Sequence, residues 1–143
     1  MMIQDGRYLS IPRQNGHVLL VDDEAPIRKL ISDVLRPRGY TVTQCCSGNE
    51  AIEYYSRHAA EVDLVVMDMM MPGMNGTDAL ARMLRINPYV RVVMISGGRY
   101  SQDEIREAGA VAFAAKPFEI PHLLELVKQH VRPKLSPDIR LMG

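Results

Sequence analysis

Short apolar runs that break off at a reactive side chain constrain this chain more than any other feature. Leu64-Val65-Val66-Met67 runs into Asp68, and His17-Val18-Leu19-Leu20-Val21 runs into Asp22-Asp23-Glu24. Arg91-Val92-Val93-Met94-Ile95 leads to Ser96-Gly97-Gly98, and Val111-Ala112-Phe113-Ala114-Ala115 leads to Lys116-Pro117-Phe118. Runs this short and this uniformly apolar predict strands buried on both faces, as in a parallel sheet covered by helices on both sides. Open α/β sheets place their chemistry outside the carboxyl ends of the strands. Acids, a hydroxyl and a lysine gathered on one such edge are the components of a phosphoryl site.

The stretches between the runs read as helices. Ala25-Pro26 opens the first, since proline suits the first turn. Ile27, Leu30, Ile31, Val34 and Leu35 follow at helical spacing, and Gly39 closes it. Tyr40-Thr41-Val42-Thr43-Gln44-Cys45 alternates like a strand. Ser47-Gly48-Asn49-Glu50 has capping-box spacing and predicts a helix to about His58. A third helix is expected over 76–86, with Leu80, Met83 and Leu84 inward, stopped by Asn87-Pro88. A short fourth helix runs over 101–108 and ends at Gly109. The last spans 120–131 and buries Leu123, Leu124 and Val127. Strands over 63–68, 90–95 and 111–115 complete five strands alternating with five helices, an α/β domain with a parallel sheet.

The chain has 143 residues, enough for one domain with a single buried core. Lys+Arg and Asp+Glu balance at 17 each, which gives no electrostatic reason to expect nucleic acid. Inside that neutral total, Asp22, Asp23, Glu24 and Asp68 form a local acidic cluster. Cys45 and Cys46 are adjacent, point to opposite faces of a strand and are poorly placed to bridge. They read as small apolar residues in a reducing compartment. Residues 1–16 are polar, lack the apolar segment of a signal peptide and read as a flexible arm. The domain then covers 17–131, and 132–143 is an arm or a linker. No run approaches the ~20 apolar residues of a membrane span, and the expected location is the cytoplasm.

These residues, in this order, resemble the receiver domain of two-component response regulators, of the single-domain chemotaxis-regulator kind. The resemblance covers roughly 17–131. It rests on Asp22-Asp23, on Asp68, on the loop Met71-Pro72-Gly73-Met74-Asn75-Gly76, on Ser96 followed by small residues, and on Lys116-Pro117-Phe118. It implies a flavodoxin-like doubly wound sheet in strand order 2-1-3-4-5. It also implies that Asp68 accepts a phosphoryl group as an acyl phosphate. A divalent cation, Mg2+, would let the two anions approach. Its ligands would be Asp23 and Asp68 directly, the Met70 backbone carbonyl, and Asp22 directly or through water. Ser96 would donate to one phosphoryl oxygen. Lys116 would pair with Asp68 before transfer and with the phosphoryl group after it.

The resemblance further implies a switch, in which Ser96 moves toward the phosphoryl group and the Phe113 ring turns into the space it leaves. The face of the fourth helix, fifth strand and fifth helix would carry the readout to an output protein. The phosphodonor would be a sensor histidine kinase or a histidine phosphotransfer protein, and a phosphorylation-dependent homodimer stays open. The chain would catalyse only its own phosphorylation and dephosphorylation, without direct nucleic-acid or membrane binding. Met70 and Gly98, two residues after Asp68 and Ser96, offer no polar side chain to orient water, which predicts a long-lived acyl phosphate.

Each element has a plainer reading when taken singly. Asp22 and Asp23 could be helix-start acids, Ser96 a turn residue, Lys116 a solvated lysine and Phe113 plain core. Met69, Met70, Met71 and Met74 read as loop packing, because they lack the His or Cys companions of a soft-metal site. His17, His58, His122 and His130 are scattered and read as surface or boundary residues. Three rival functions remain: a phosphorelay shuttle, a small-molecule phosphohydrolase and a phosphate-independent pseudo-receiver. The phosphohydrolase is disfavoured by Met70 standing where such enzymes place a second acid.

Overall fold

The structure is a computed structural model that describes residues 2–4, 7–9, 15–98 and 100–131. Five parallel strands form one sheet: β1 (Gly16–Val21), β2 (Tyr40–Cys45), β3 (Leu64–Asp68), β4 (Val92–Ser96) and β5 (Ala112–Ala115). Their order is β2-β1-β3-β4-β5, the doubly wound, flavodoxin-like arrangement, with β1, β3 and β4 enclosed inside the sheet. The helices are α1 (Ala25–Leu35), α2 (Gly48–His58), α3 (Gly76–Ile86), α4 (Gln102–Glu107) and α5 (Ile120–His130). A turn of 3-10 helix, Arg36–Arg38, follows α1 and ends at Gly39 with φ +89°, a left-handed backbone that glycine adopts without a Cβ penalty.

Alternate residues of each strand feed two cores, as the pleat requires. Leu19, Val21, Val65, Met67, Val92 and Met94 pack with Ala51 and Tyr55 of α2, Leu80 and Met83 of α3 and Ile105 of α4. Val18, Leu20, Leu64, Val66, Val93 and Ile95 pack on the other face with Ile31 and Leu35 of α1 and Leu123 and Val127 of α5. Hydroxyl and amide caps start three helices. Ser47 accepts from the Glu50 amide, Asn75 from Asp78 and Ser101 from Glu104.

Several details differ from the sequence expectations. Leu30 is exposed, because α1 seats itself on the i, i+4, i+8 row of Ile27, Ile31 and Leu35 and turns the neighbouring row to solvent. Leu84 and Leu124 flank their helices' buried stripes and are only half-buried. His17 is buried rather than superficial. Its Nε2 lies 2.8 Å from Thr43 Oγ1, and its ring meets Tyr54 edge-on. Cys45 is buried but Cys46 is exposed, with its thiol donating to Glu50 at 3.0 Å. The first strand begins at Gly16, and Met2–Gln4 pairs antiparallel with Arg7–Leu9 where the sequence reading places no strand. The expected arm at 132–143 lies outside the described residues. No helix among the described residues is long and apolar enough to cross a membrane.

Candidate functional site

The sheet's hydrogen-bond ladder continues past the strand ends and sets the edge where the reactive groups stand. The Asp22 amide donates to the Cys45 carbonyl at 3.1 Å, Met69 to Ile95 at 2.8 Å and Lys116 to Ser96 at 2.7 Å. The backbone beside each charged side chain is therefore held by a neighbouring strand. Gly76 packs its backbone against the same edge. A Cβ there would lie 2.9 Å from the Asp68 carbonyl and 3.0 Å from Met69 Cα, so only glycine lets α3 start this close.

Asp68 is buried, with one carboxylate oxygen accepting from Lys116 Nζ at 3.0 Å and the other from the Met70 amide at 3.1 Å. Asp22 is 1% exposed, and its Oδ1 accepts from the Glu24 amide at 2.8 Å. Its Oδ2 has no hydrogen-bond partner among the described residues. Arg28 buttresses the same turn by donating to the Asp22 carbonyl at 2.6 Å. Carboxylate oxygens of Asp22, Glu24 and Asp68 all lie within 4.8 Å of one another. Lys116 Nζ is also 3.9 Å from Glu24, and among the described residues both ion pairs that reach this cluster come from Lys116.

Burial pushes the Asp22 carboxyl up to about 6; the Glu24 amide opposes this and the Asp68 charge adds to it. For Lys116, burial favours the neutral amine, but the Asp68 hydrogen bond and charge outweigh it and hold its pKa above the ordinary lysine value. The edge thus carries several acidic groups against one secure cation.

The donors fit a hard divalent ion. They are all oxygen, they converge, and one buried carboxylate oxygen lacks a partner among the described residues, a condition that costs about 1–3 kcal/mol when left uncompensated. The residues that could hold such an ion are Asp22, Asp68 and Glu24, with the Met70 backbone alongside.

The structure brings together Asp22, Asp68 and Lys116 as the sequence reading expects. It does not bring Asp23 into the group, because Asp23 is exposed and absent from the carboxylates within 4.8 Å. Glu24, read from the sequence as one of the clustered acids but not as a ligand, joins the group, and Arg28 is an addition. The signal for Glu24 was local: an aspartate that accepts from the amide two residues on makes a tight turn, and that turn carries Glu24 to the edge. Ser96 is fully buried at the end of β4, with its Oγ 3.5 Å from the Gly98 amide. Phe113 is half-buried and packs on the α2–α3–α4 side of the sheet. Beside it a groove of about 310 Å3 is lined by Gln102, Phe113, Ala115, Pro117, Phe118 and His122, among others. Met69, Met71 and Met74 are buried as loop packing, whereas Met70 is 44% exposed.

A doubly wound parallel sheet with an acidic cluster and a lysine at its carboxyl edge has the arrangement of the open α/β class, with its candidate site outside the strand ends. A profile of the response regulator receiver domain matches residues 18–128, and the chain belongs to that family, the receiver domains of two-component signalling systems. It is 34% identical to the sporulation initiation phosphotransferase F of Bacillus subtilis, over 82% of this chain and 94% of that one. It is 35% identical to the chemotaxis protein CheY of Thermotoga maritima, over 78% of this chain and 94% of that one. Among solved structures, a CheX–CheY–BeF3–Mg2+ complex from Borrelia burgdorferi superposes with a TM-score of 0.75. That match is 27% identical and covers 82% of this chain and 90% of the other.

Proposed function

We propose that the chain is a phosphorylation-controlled signalling switch that accepts a phosphoryl group on Asp68 with the help of Mg2+. The observation that carries this is Asp68 itself, a buried carboxylate held at 3.0 Å by Lys116 beside an acidic cluster with an unpartnered oxygen. Asp22 and Asp68 would hold the ion, with the Met70 carbonyl and with Asp23 reaching in from its exposed turn. The ion supplies charge neutralisation and alignment of phosphoryl oxygens. With acetyl phosphate as donor, the phosphorus–acetyl oxygen bond breaks as a bond from phosphorus to the Asp68 carboxylate forms, and acetate leaves with the electron pair. Lys116 exchanges its carboxylate partner for a phosphoryl oxygen, and the Ser96 hydroxyl donates to another.

The natural donor is a sensor histidine kinase or a histidine phosphotransfer protein. Output runs through the face of α4, β5 and α5, where the groove beside Phe113 lies. Ser96 and Phe113 form the switch, and the chain acts in the cytoplasm as a signal carrier rather than as an enzyme that turns over a separate substrate. Residues 17–131 are the functional unit. The similarity to a sporulation phosphotransferase supports one second reading, a relay step that hands the phosphoryl group to another histidine protein.

Amide spectra recorded with and without acetyl phosphate and Mg2+ test the switch. Shifts at Gly97, Gly98 and Phe113 are expected in the wild type and not in Asp68→Asn, and identical spectra would contradict the proposal. The same samples report lifetime. Met70→Asn places an amide beside Asp68 and should speed phosphate loss several-fold, roughly the contribution of one oriented hydrogen bond. An unchanged rate sinks the idea that Met70 protects the acyl phosphate.

A further inference from the structure

Glu24 occupies the N-cap position of α1, yet its side chain makes no capping hydrogen bond. Its carboxylate lies instead within 4.8 Å of those of Asp22 and Asp68 and 3.9 Å from Lys116 Nζ. The turn that presents it is well held. The Glu24 amide donates to Asp22 Oδ1 at 2.8 Å, and its carbonyl accepts from the Ile27 and Arg28 amides at 3.1 Å each. A second observation points to the same place: Asp22 Oδ2, on a residue 1% exposed, has no partner among the described residues.

We propose that Glu24 is a further acidic arm of the cation site and makes phosphoryl acceptance at Asp68 depend more steeply on the cation. This rests on the function proposed above. Without a divalent ion, an anionic phosphodonor approaching Asp68 meets the Glu24 charge as well as that of Asp68, with Lys116 as the nearby counter-charge. With the ion bound, the same Glu24 charge favours the ion. One residue therefore opposes the cation-free reaction and strengthens cation binding through a single Coulomb interaction. The Glu24 side chain is 59% exposed, so solvent and salt screen the effect to a modest factor.

Calorimetric titration of Mg2+ into wild type, Glu24→Gln and Asp33→Asn measures the interaction directly, with melting temperatures as the check on folding. In Glu24→Gln the Mg2+ dissociation constant should rise about three- to tenfold. The small residual rate of adduct formation from acetyl phosphate without Mg2+ should rise rather than fall. Asp33, an exposed acid further along α1 that pairs with Lys29, removes the same charge away from the site. Asp33→Asn should leave the constant within about twofold of wild type. An unchanged constant in Glu24→Gln, with wild type binding Mg2+, overturns the role of Glu24 and leaves the receiver reading standing. A wild type that binds no Mg2+ overturns both.

Discussion

Asp22→Asn is expected to make the protein more stable at pH 7, by about 2–3 kcal/mol, in the absence of divalent ions. The folded-state pKa of Asp22 is raised from 3.8 to about 6, chiefly by burial. A raised carboxyl pKa means that the native state binds the proton more tightly than the unfolded chain. Stability therefore falls as pH climbs from about 4 to about 6, and stays low above that window. The amide of Asn carries no charge to desolvate, so the variant's advantage should be full at pH 7 and vanish below about pH 4, where Asp22 is protonated in both states. Chemical denaturation of both proteins at pH 4 and pH 7 checks the sign. Added Mg2+ should reverse the order at pH 7, because it stabilises the wild type by binding the native state while the variant has lost one of its acids. Equal stabilities at both pH values would contradict the burial account of Asp22.

The second large effect is expected at Lys116. Lys116→Ala removes the ammonium that holds Asp68 at 3.0 Å and leaves that carboxylate, whose side chain is 3% exposed, without its ion-pair partner. Deleting one member of a fully buried pair costs about 3–5 kcal/mol; with the Lys116 side chain 27% exposed, about 1–3 kcal/mol is the expected loss. The effect on chemistry should be larger. Removing one preorganised donor to developing charge typically slows a reaction by about 100-fold or more, and the rate of phosphoryl acceptance from acetyl phosphate should fall by that order. Because the Lys116 pKa is held above its ordinary value, the pair's stabilisation is present throughout the neutral range and is lost only as pH rises through that elevated value. Stopped-time mass measurements on wild type and Lys116→Ala provide the comparison. A rate within a few-fold of wild type would show that Lys116 only holds Asp68 in place.

What could be read from the sequence divides along a physical line. A buried strand announces itself by continuous apolar character, and its last residue must sit at the sheet's edge. Asp68, Ser96 and Lys116 could therefore be placed before any contact was known. The cap at Ser47 and the glycine stops at Gly39 and Gly109 follow from local backbone chemistry in the same way. The turn after β1 obeys no such period. Three consecutive acids leave the strand there, and which of them points inward depends on the hydrogen bond from the Glu24 amide to Asp22. That bond turns Asp22 inward, leaves Asp23 exposed and carries Glu24 to the cluster. Helix faces fail similarly at their margins. Leu30 satisfies the spacing of an amphipathic stripe, but the sheet beneath is covered by the adjacent row. His17, one of four scattered histidines without a motif, reads as a surface or boundary residue, and only the packing of Thr43 and Tyr54 against it shows it to be enclosed.

The central claim is that Asp68 is a cation-dependent phosphoryl acceptor. Intact-mass spectrometry after incubation with acetyl phosphate, with and without Mg2+, on wild type and Asp68→Asn tests it most directly. A single phosphoryl adduct that needs Mg2+, is released by hydroxylamine and is missing from Asp68→Asn is the predicted result. An adduct of the same yield in Asp68→Asn would contradict it by placing the acceptor elsewhere. No adduct in a folded, Mg2+-binding wild type, even with a histidine-phosphorylated donor, would contradict it and leave a phosphate-independent binding module.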